Sequence, residues 1–238
     1  MSITWTVSPL SHIARVDEPA LRRALGVPDG DRVFVYSSRD AEPFVIKTSP
    51  ALIRGWWSGV QNRYREQLRQ DVTWDEDSAV EKSFDYDAGQ AIDLNYLTGY
   101  VDKFGEDGVG IDFRVRPRVD QSDKELDGWM RYRGYASRFP QLTVQPAYLL
   151  PFNANLVIAA PDWLGEDARF GSLARTAEEL EEVLGVIVRA DPALADTTVG
   201  PGDDRLAHAA QAAREHLRQV REAVRLGLPM WWGQFRGV

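Results

Sequence analysis

Residues 203–226 read DDRLAHAAQAAREHLRQVREAVRL. Leu206, Ala210, Ala213, Leu217, Val220 and Val224 recur at alternating steps of four and three, which lays them along one side of a helix as a heptad-like seam. The seam runs for about three heptads, short for a free coiled coil, so it predicts packing within the chain. A second helix precedes it. Thr176 opens a pattern that runs to Arg189, with Glu178, Glu179, Glu181 and Glu182 at the end where the helix dipole favours negative charge. Asp191-Pro192 breaks this helix, and Gly200-Pro201-Gly202 supplies a loop. Two helices joined by a loop predict a C-terminal helical hairpin.

The chain on the N-terminal side of this hairpin mixes periods. Ile3, Trp5 and Val7 alternate with Ser2, Thr4 and Thr6, a strand with one apolar face. Asp17-Glu18-Pro19 opens a short helix that Gly26 stops. Residues 32–36 and 42–47 read as two strands of a hairpin. Ser49-Pro50 is an N-cap with proline in the first turn, and the helix that follows puts Ile53, Trp56, Trp57, Val60, Tyr64 and Leu68 on one face. The acidic stretch 71–87 reads as a surface loop. A helix is expected over 88–104. Ile111, Phe113 and Val115 alternate with Asp112, Arg114 and Arg116 as a half-buried strand, and a further helix is expected over 120–138. Residues 142–150 and 155–160 read as strands that pair around Pro151-Phe152-Asn153.

These elements predict an α+β fold: a mixed, mainly antiparallel sheet packed by helices, with the C-terminal helical hairpin against it. A single α/β layered structure is the alternative, because strands and helices partly alternate. The expected organisation is an α+β body over 1–165, with the hairpin and an aromatic tail over 166–238, together one globular unit.

Composition narrows the function classes. The chain has 238 residues, a net charge of −8 and no cysteine, which excludes disulfides, a thiol nucleophile and thiolate metal sites. The acidic balance disfavours nucleic acid and anionic membrane surfaces, since phosphate recognition needs a basic footprint. No window is apolar for long enough to span a bilayer. The first residues lack a basic segment followed by an apolar one, so a cytoplasmic location is expected. The dominance of arginine over lysine has a plain reading in GC-rich bacterial coding.

No linear motif selects a chemistry. His208 and His216 are eight residues apart, too far along one helix to share an ion, and neither acidic run has the glycine and terminal glutamate of a calcium loop. No metal and no cofactor are implied. Gly105-Glu106-Asp107-Gly108-Val109-Gly110 follows a helical pattern and precedes a strand, the reverse of a phosphate loop, and its acids repel phosphate. Ser172 lacks the context of an activated nucleophile.

The candidate binding residues are therefore basic and aromatic. Arg214, Arg218, Arg221 and Arg225 each follow a seam residue, forming one row beside it. Such a row pairs with neighbouring acids or docks an acidic partner or anionic small ligand. Arg114 and Arg116 form a second, shorter row. Trp231 and Trp232 lie in an unusually apolar segment, which implies either burial or a partner surface. Two functions are expected from different classes. The first is a soluble non-enzymatic protein-binding protein, an immunity- or antitoxin-like accessory protein masking a basic partner, or a self-associating one. The second is a small-molecule enzyme, a hydrolase or transferase, with a site assembled from dispersed Asp, Arg and His.

Overall fold

The computed structural model describes residues 2–15, 33–36, 44–87, 97–98, 101, 139–196, 198–199 and 205–233. Its centre is a six-stranded mixed sheet in the order β4-β1-β8-β5-β7-β6, with β1 Ser2–Val7, β4 Lys82–Asp87, β5 Tyr148–Leu150, β6 Ile158–Pro161, β7 Asp167–Ser172 and β8 Met230–Gly233. Only β5 and β7 run parallel; the other neighbours are antiparallel. β2 Val33–Tyr36 and β3 Phe44–Lys47 form the expected hairpin as a separate two-stranded sheet.

Helices cover both faces of the large sheet. The side-chain period of two explains how. Leu149 and Met230 face one way, with Trp5 and Val7 from β1. Against them pack α3 Leu173–Ala190 and α4 Arg205–Leu226, the predicted helical hairpin. Tyr148, Leu150, Phe170 and Trp231 face the other way, against α1 Pro50–Leu68 and the 3-10 turn Leu10–Arg15. Here Tyr148 stacks on Phe170 with ring centroids 4.9 Å apart, and Trp57 meets Trp74 at 5.5 Å.

α1 forms as its sequence predicts. Ser49 accepts the N–H of Leu52, Pro50 takes the first turn, and Ile53, Trp57, Val60 and Leu68 are buried. Arg69 ends it in the left-handed conformation at φ 54°. The half-buried Trp56 and Tyr64 donate to the carbonyls of Pro161 and Ala159, so α1 fastens β6, the outermost strand on its side among the described residues, through that strand's backbone.

Four expectations are corrected. Residues 142–150 are not one strand: Pro140–Val144 form a short helix, α2, ended by Gln145 at φ 50°, and only Tyr148–Leu150 is extended. β5 and β6 do not pair with each other; β7 and β8 flank β5, and β6 pairs with β7. The acidic stretch is irregular only to residue 81, and Lys82–Asp87 is a strand against β1. Charged residues suit this position, because β4 is the outermost strand on its side of the sheet among the described residues. Finally, the heptad seam drifts. Leu206, Ala210, Ala213, Leu217 and Val220 are buried, but Val224 is 45% exposed and Ala223 has turned inward. Val224 lies five whole turns from Leu206, in line with it on a straight helix, so the exposure marks a turn of the buried face around the helix toward its C-terminal end.

Leu97, Thr98 and Val101 are helical and buried, within the helix expected over 88–104. The short helix after Asp17, the strand over 111–115 with Arg114 and Arg116, and the helix over 120–138 lie outside the described residues. Among the described residues no helix is long and apolar enough to cross a membrane.

Candidate functional site

The turn between β6 and β7 builds one side of a cleft. Asp162 closes this turn: its Oδ1 accepts the N–H of Leu164 at 2.8 Å and of Glu166 at 3.0 Å. Its own backbone bonds Glu166 and Gly165, with Gly165 at φ 84°. An aspartate hydrogen-bonded to the backbone two residues on, with glycine in the left-handed region, is standard turn chemistry.

The turn overhangs the start of β5 and the end of β8. Between them lies a cavity of about 220 Å³. Asp162, Glu166 and Asp167 bring three carboxylates to its wall, and Arg169 brings one guanidinium. Tyr148 and Trp232 supply aromatic surface. Burial raises the Asp162 carboxyl above its usual range, opposed by the backbone N–H groups of Glu166, Leu164 and Gly165. Burial, and secondarily the charge of Asp162, raises the Tyr148 hydroxyl, so it stays protonated. The cleft is therefore net acidic with an aromatic lining.

Behind Trp232 lies a second cavity, of about 20 Å³. Trp232 and Gln145 line both spaces. The inner one is also walled by Trp5, Gln141, Thr176 and His216. His216 is buried against the Trp5 ring at 5.5 Å, and burial lowers its imidazole to about 4, partly offset by Gln219. It is neutral at pH 7.

Groups that chemistry could recruit are committed to the scaffold. Ser172 caps α3 by accepting from Arg175 and donates to the Phe152 carbonyl. Glu179 receives the N–H groups of Gln141 at 3.2 Å and Leu142 at 3.1 Å, capping α2 from α3. Burial pushes its carboxyl up to about 7, against the favourable backbone hydrogen bonds. The Gln141 side chain donates to Leu156 O and accepts from Ser172 N. Elsewhere, His12 Nδ1 lies 3.1 Å from Glu81 Oε2, and its Nε2 has no partner among the described residues. Among those residues, no group of three His, Asp or Glu side chains stands close enough to share a metal ion.

The row on α4 is largely engaged. Arg214 donates to the Leu194 carbonyl. Arg221 reaches Glu181 at 2.9 Å, and Arg225 grips Glu222 through two hydrogen bonds of 2.8 and 2.7 Å. Lys82 also reaches Glu222, and these hydrogen bonds, that of Arg225 foremost, lower its carboxyl to about 2. Arg218 is exposed, with no partner among the described residues. Trp231 is buried in the sheet and donates to Ser8 Oγ at 3.1 Å, whereas half-buried Trp232 walls the cleft. Sequence reasoning missed Asp162, Tyr148, Glu166, Asp167 and Arg169. The Asp162-to-Gly165 turn signal was readable, but the encounter with Gln145 and Trp232 was not.

Comparison of the chain with family models, curated proteins and solved structures finds no match.

Proposed function

We propose that this chain is a non-enzymatic protein-binding protein that masks a basic partner, as immunity- or antitoxin-like accessory proteins do, acting in the cytoplasm. The cleft carries the reading. Three carboxylates and one guanidinium line a cavity floored by aromatic rings, a chemistry that suits an arginine or lysine side chain. The net charge of −8 speeds the approach of such a partner.

A test uses an arginine-rich peptide and a glutamate-rich peptide of equal length, followed by calorimetry at two salt concentrations. The expected result is salt-sensitive binding of the basic peptide alone, weakened at least tenfold in the Asp162→Asn, Glu166→Gln, Asp167→Asn triple variant. Equal affinity of the triple variant for the basic peptide, or no binding by either protein, defeats the reading.

The enzyme alternative has one observation in its favour, the His12–Glu81 pair. An imidazole oriented by a carboxylate is how a general base is held. The His12 side chain is only 1% exposed, however, so no substrate reaches it in this conformation. Loss of a measured turnover in a His12→Gln variant that still folds would restore that alternative.

A further inference from the structure

A site for a cation has no use for a guanidinium, yet Arg169 lines the cleft beside three carboxylates. The sheet register sets its place. Tyr148 on β5 pairs with Phe170 on β7 and with Trp231 on β8. One position earlier, Ala147 therefore falls between Arg169 and Trp232, and its carbonyl accepts the Trp232 N–H at 2.8 Å. β7 and β8 stand two strand spacings apart, about 9.5 Å. The cleft lies in this gap, where β5 contributes only the methyl group of Ala147 between a guanidinium and an indole. Along β7 the side chains alternate. Ala168 and Phe170 face α1, so Asp167 and Arg169 share the opposite side, about 6.6 Å apart along the strand. Asp162 and Glu166 add their carboxylates from the turn that precedes Asp167. The cleft thus runs from an acidic end at the turn to a basic end at Arg169.

The two ends do not neutralise each other. Among the described residues, no ion pair includes Arg169, Asp162, Glu166 or Asp167. The one hydrogen bond of the Arg169 side chain there goes to the neighbouring Ala168 carbonyl, at 3.5 Å. Asp162 is held by the turn through Oδ1. A ligand that satisfies this wall carries a cation at one end and an anion at the other.

Resting on the reading that the chain binds a basic partner, we infer that the cleft takes the partner's C-terminal residue, an arginine or lysine with a free α-carboxylate. Its α-carboxylate pairs with Arg169, whose planar fork matches a carboxylate. Its side chain runs along β7 with the apolar stem on Trp232 and the charged head at the carboxylates of the turn. An extended lysine or arginine separates its two charges by the length of its own side chain, the scale on which Asp167 and Arg169 are spaced. The volume of about 220 Å³ is below the roughly 300 Å³ at which drug-sized pockets begin, which suits one residue rather than a longer segment. An internal lysine or arginine fits less well. Its carboxyl is a neutral amide, so Arg169 would meet a cationic partner with nothing to offset the repulsion.

The test is calorimetry of the full chain with one short arginine-containing peptide in three forms: ending in arginine with a free carboxylate, the same peptide amidated, and a permuted peptide of equal composition that ends in alanine. Amidation removes a negative charge, so general attraction to an acidic protein favours the amide. Only a group that reads the carboxylate reverses that order. The expected result is at least tenfold tighter binding of the free-acid, arginine-last peptide than of either other form. In Arg169→Gln the free acid is expected to lose its advantage over the amide. Equal or tighter binding of the amide or of the alanine-last peptide by the wild type overturns this inference and leaves the basic-partner reading standing. Binding of none of the three overturns both. Free arginine that binds as tightly as the peptide also overturns the inference, because the cleft is then a site for a small amino acid and not for a partner's terminus. An unchanged preference in Arg169→Gln overturns it as well; if that variant fails to fold, the three wild-type affinities decide.

Discussion

Glu179 and His216 put opposite pH dependences into one hydrophobic core. Glu179 is raised from 4.5 to about 7 by burial, so the native state holds a proton that the unfolded chain releases. Its contribution to stability is full below pH 4.5 and is lost as pH rises through 7. His216 is lowered from 6.5 to about 4 by burial, so the unfolded chain takes up a proton that the native state refuses. Its contribution is full above pH 6.5 and is lost as pH falls through 4. One pH unit of such a window corresponds to about 1.4 kcal/mol, so each group accounts for up to about 3 kcal/mol. Between pH 4.5 and 6.5 the two slopes cancel.

Single variants unmask them. Relative to wild type, Glu179→Gln should become more stable as pH rises from 4.5 to 7, by up to about 3 kcal/mol. His216→Phe should lose relative stability by a similar amount as pH rises from 4 to 6.5. The assay is urea unfolding followed by tryptophan fluorescence at half-unit pH steps. It is read as the difference from wild type, which removes the titration of the other carboxylates. A difference curve for Glu179→Gln that is flat from pH 4.5 to 7 refutes the assignment, because a normally titrating glutamate gives no such slope.

Three further variants test the packing. In Gly171→Ala a Cβ would lie 2.4 Å from Gln141 Oε1 and 2.6 Å from Pro146 Cγ, so a loss of about 1–3 kcal/mol is expected by urea midpoint. Val220→Ala should cost about 2 kcal/mol and Val224→Ala less than about 0.5, since only the first is buried; thermal melts separate the two. Ser49→Ala removes the cap of α1 and should cost about 1 kcal/mol, with faster amide exchange confined to that helix's first turn.

Local signals were legible where one periodicity spans a whole element. α1 and α4 were readable because their apolar faces repeat over many turns and, in α1, because Ser49-Pro50 punctuates the start. β2 and β3 were readable as two short apolar runs a short distance apart. The stretch 142–150 misled because the β-branched Thr143 and Val144 favour strands, while α2 is held from outside by the Glu179 carboxylate. No propensity reveals such a tertiary cap. β4 was hidden by its acids, although Phe84 and Tyr86 alternate with Ser83, Asp85 and Asp87. The pairing of β5 with β7 and β8 is long-range, and the cleft inherits that difficulty. Its residues come from the end of α2, the start of β5, the β6–β7 turn, the first residues of β7, and β8, places that only the folded sheet brings together.

The position of β8 has a consequence for synthesis. It separates β4-β1 on one side of the sheet from β5-β7-β6 on the other, and Trp231 bonds Ser8 across 223 residues of chain. A ribosome releases β1 first, yet the two halves of the sheet cannot join until β8 has emerged. From the time each is made until β8 follows, β1 and β5 present an open edge, on which Trp5 and Tyr148 await their cross-strand partners. The nascent chain is thus exposed to wrong strand pairings until β8 has been made, and a chaperone that shields unpaired strand edges should raise its folding yield more than that of a protein whose neighbouring strands are also neighbours in sequence.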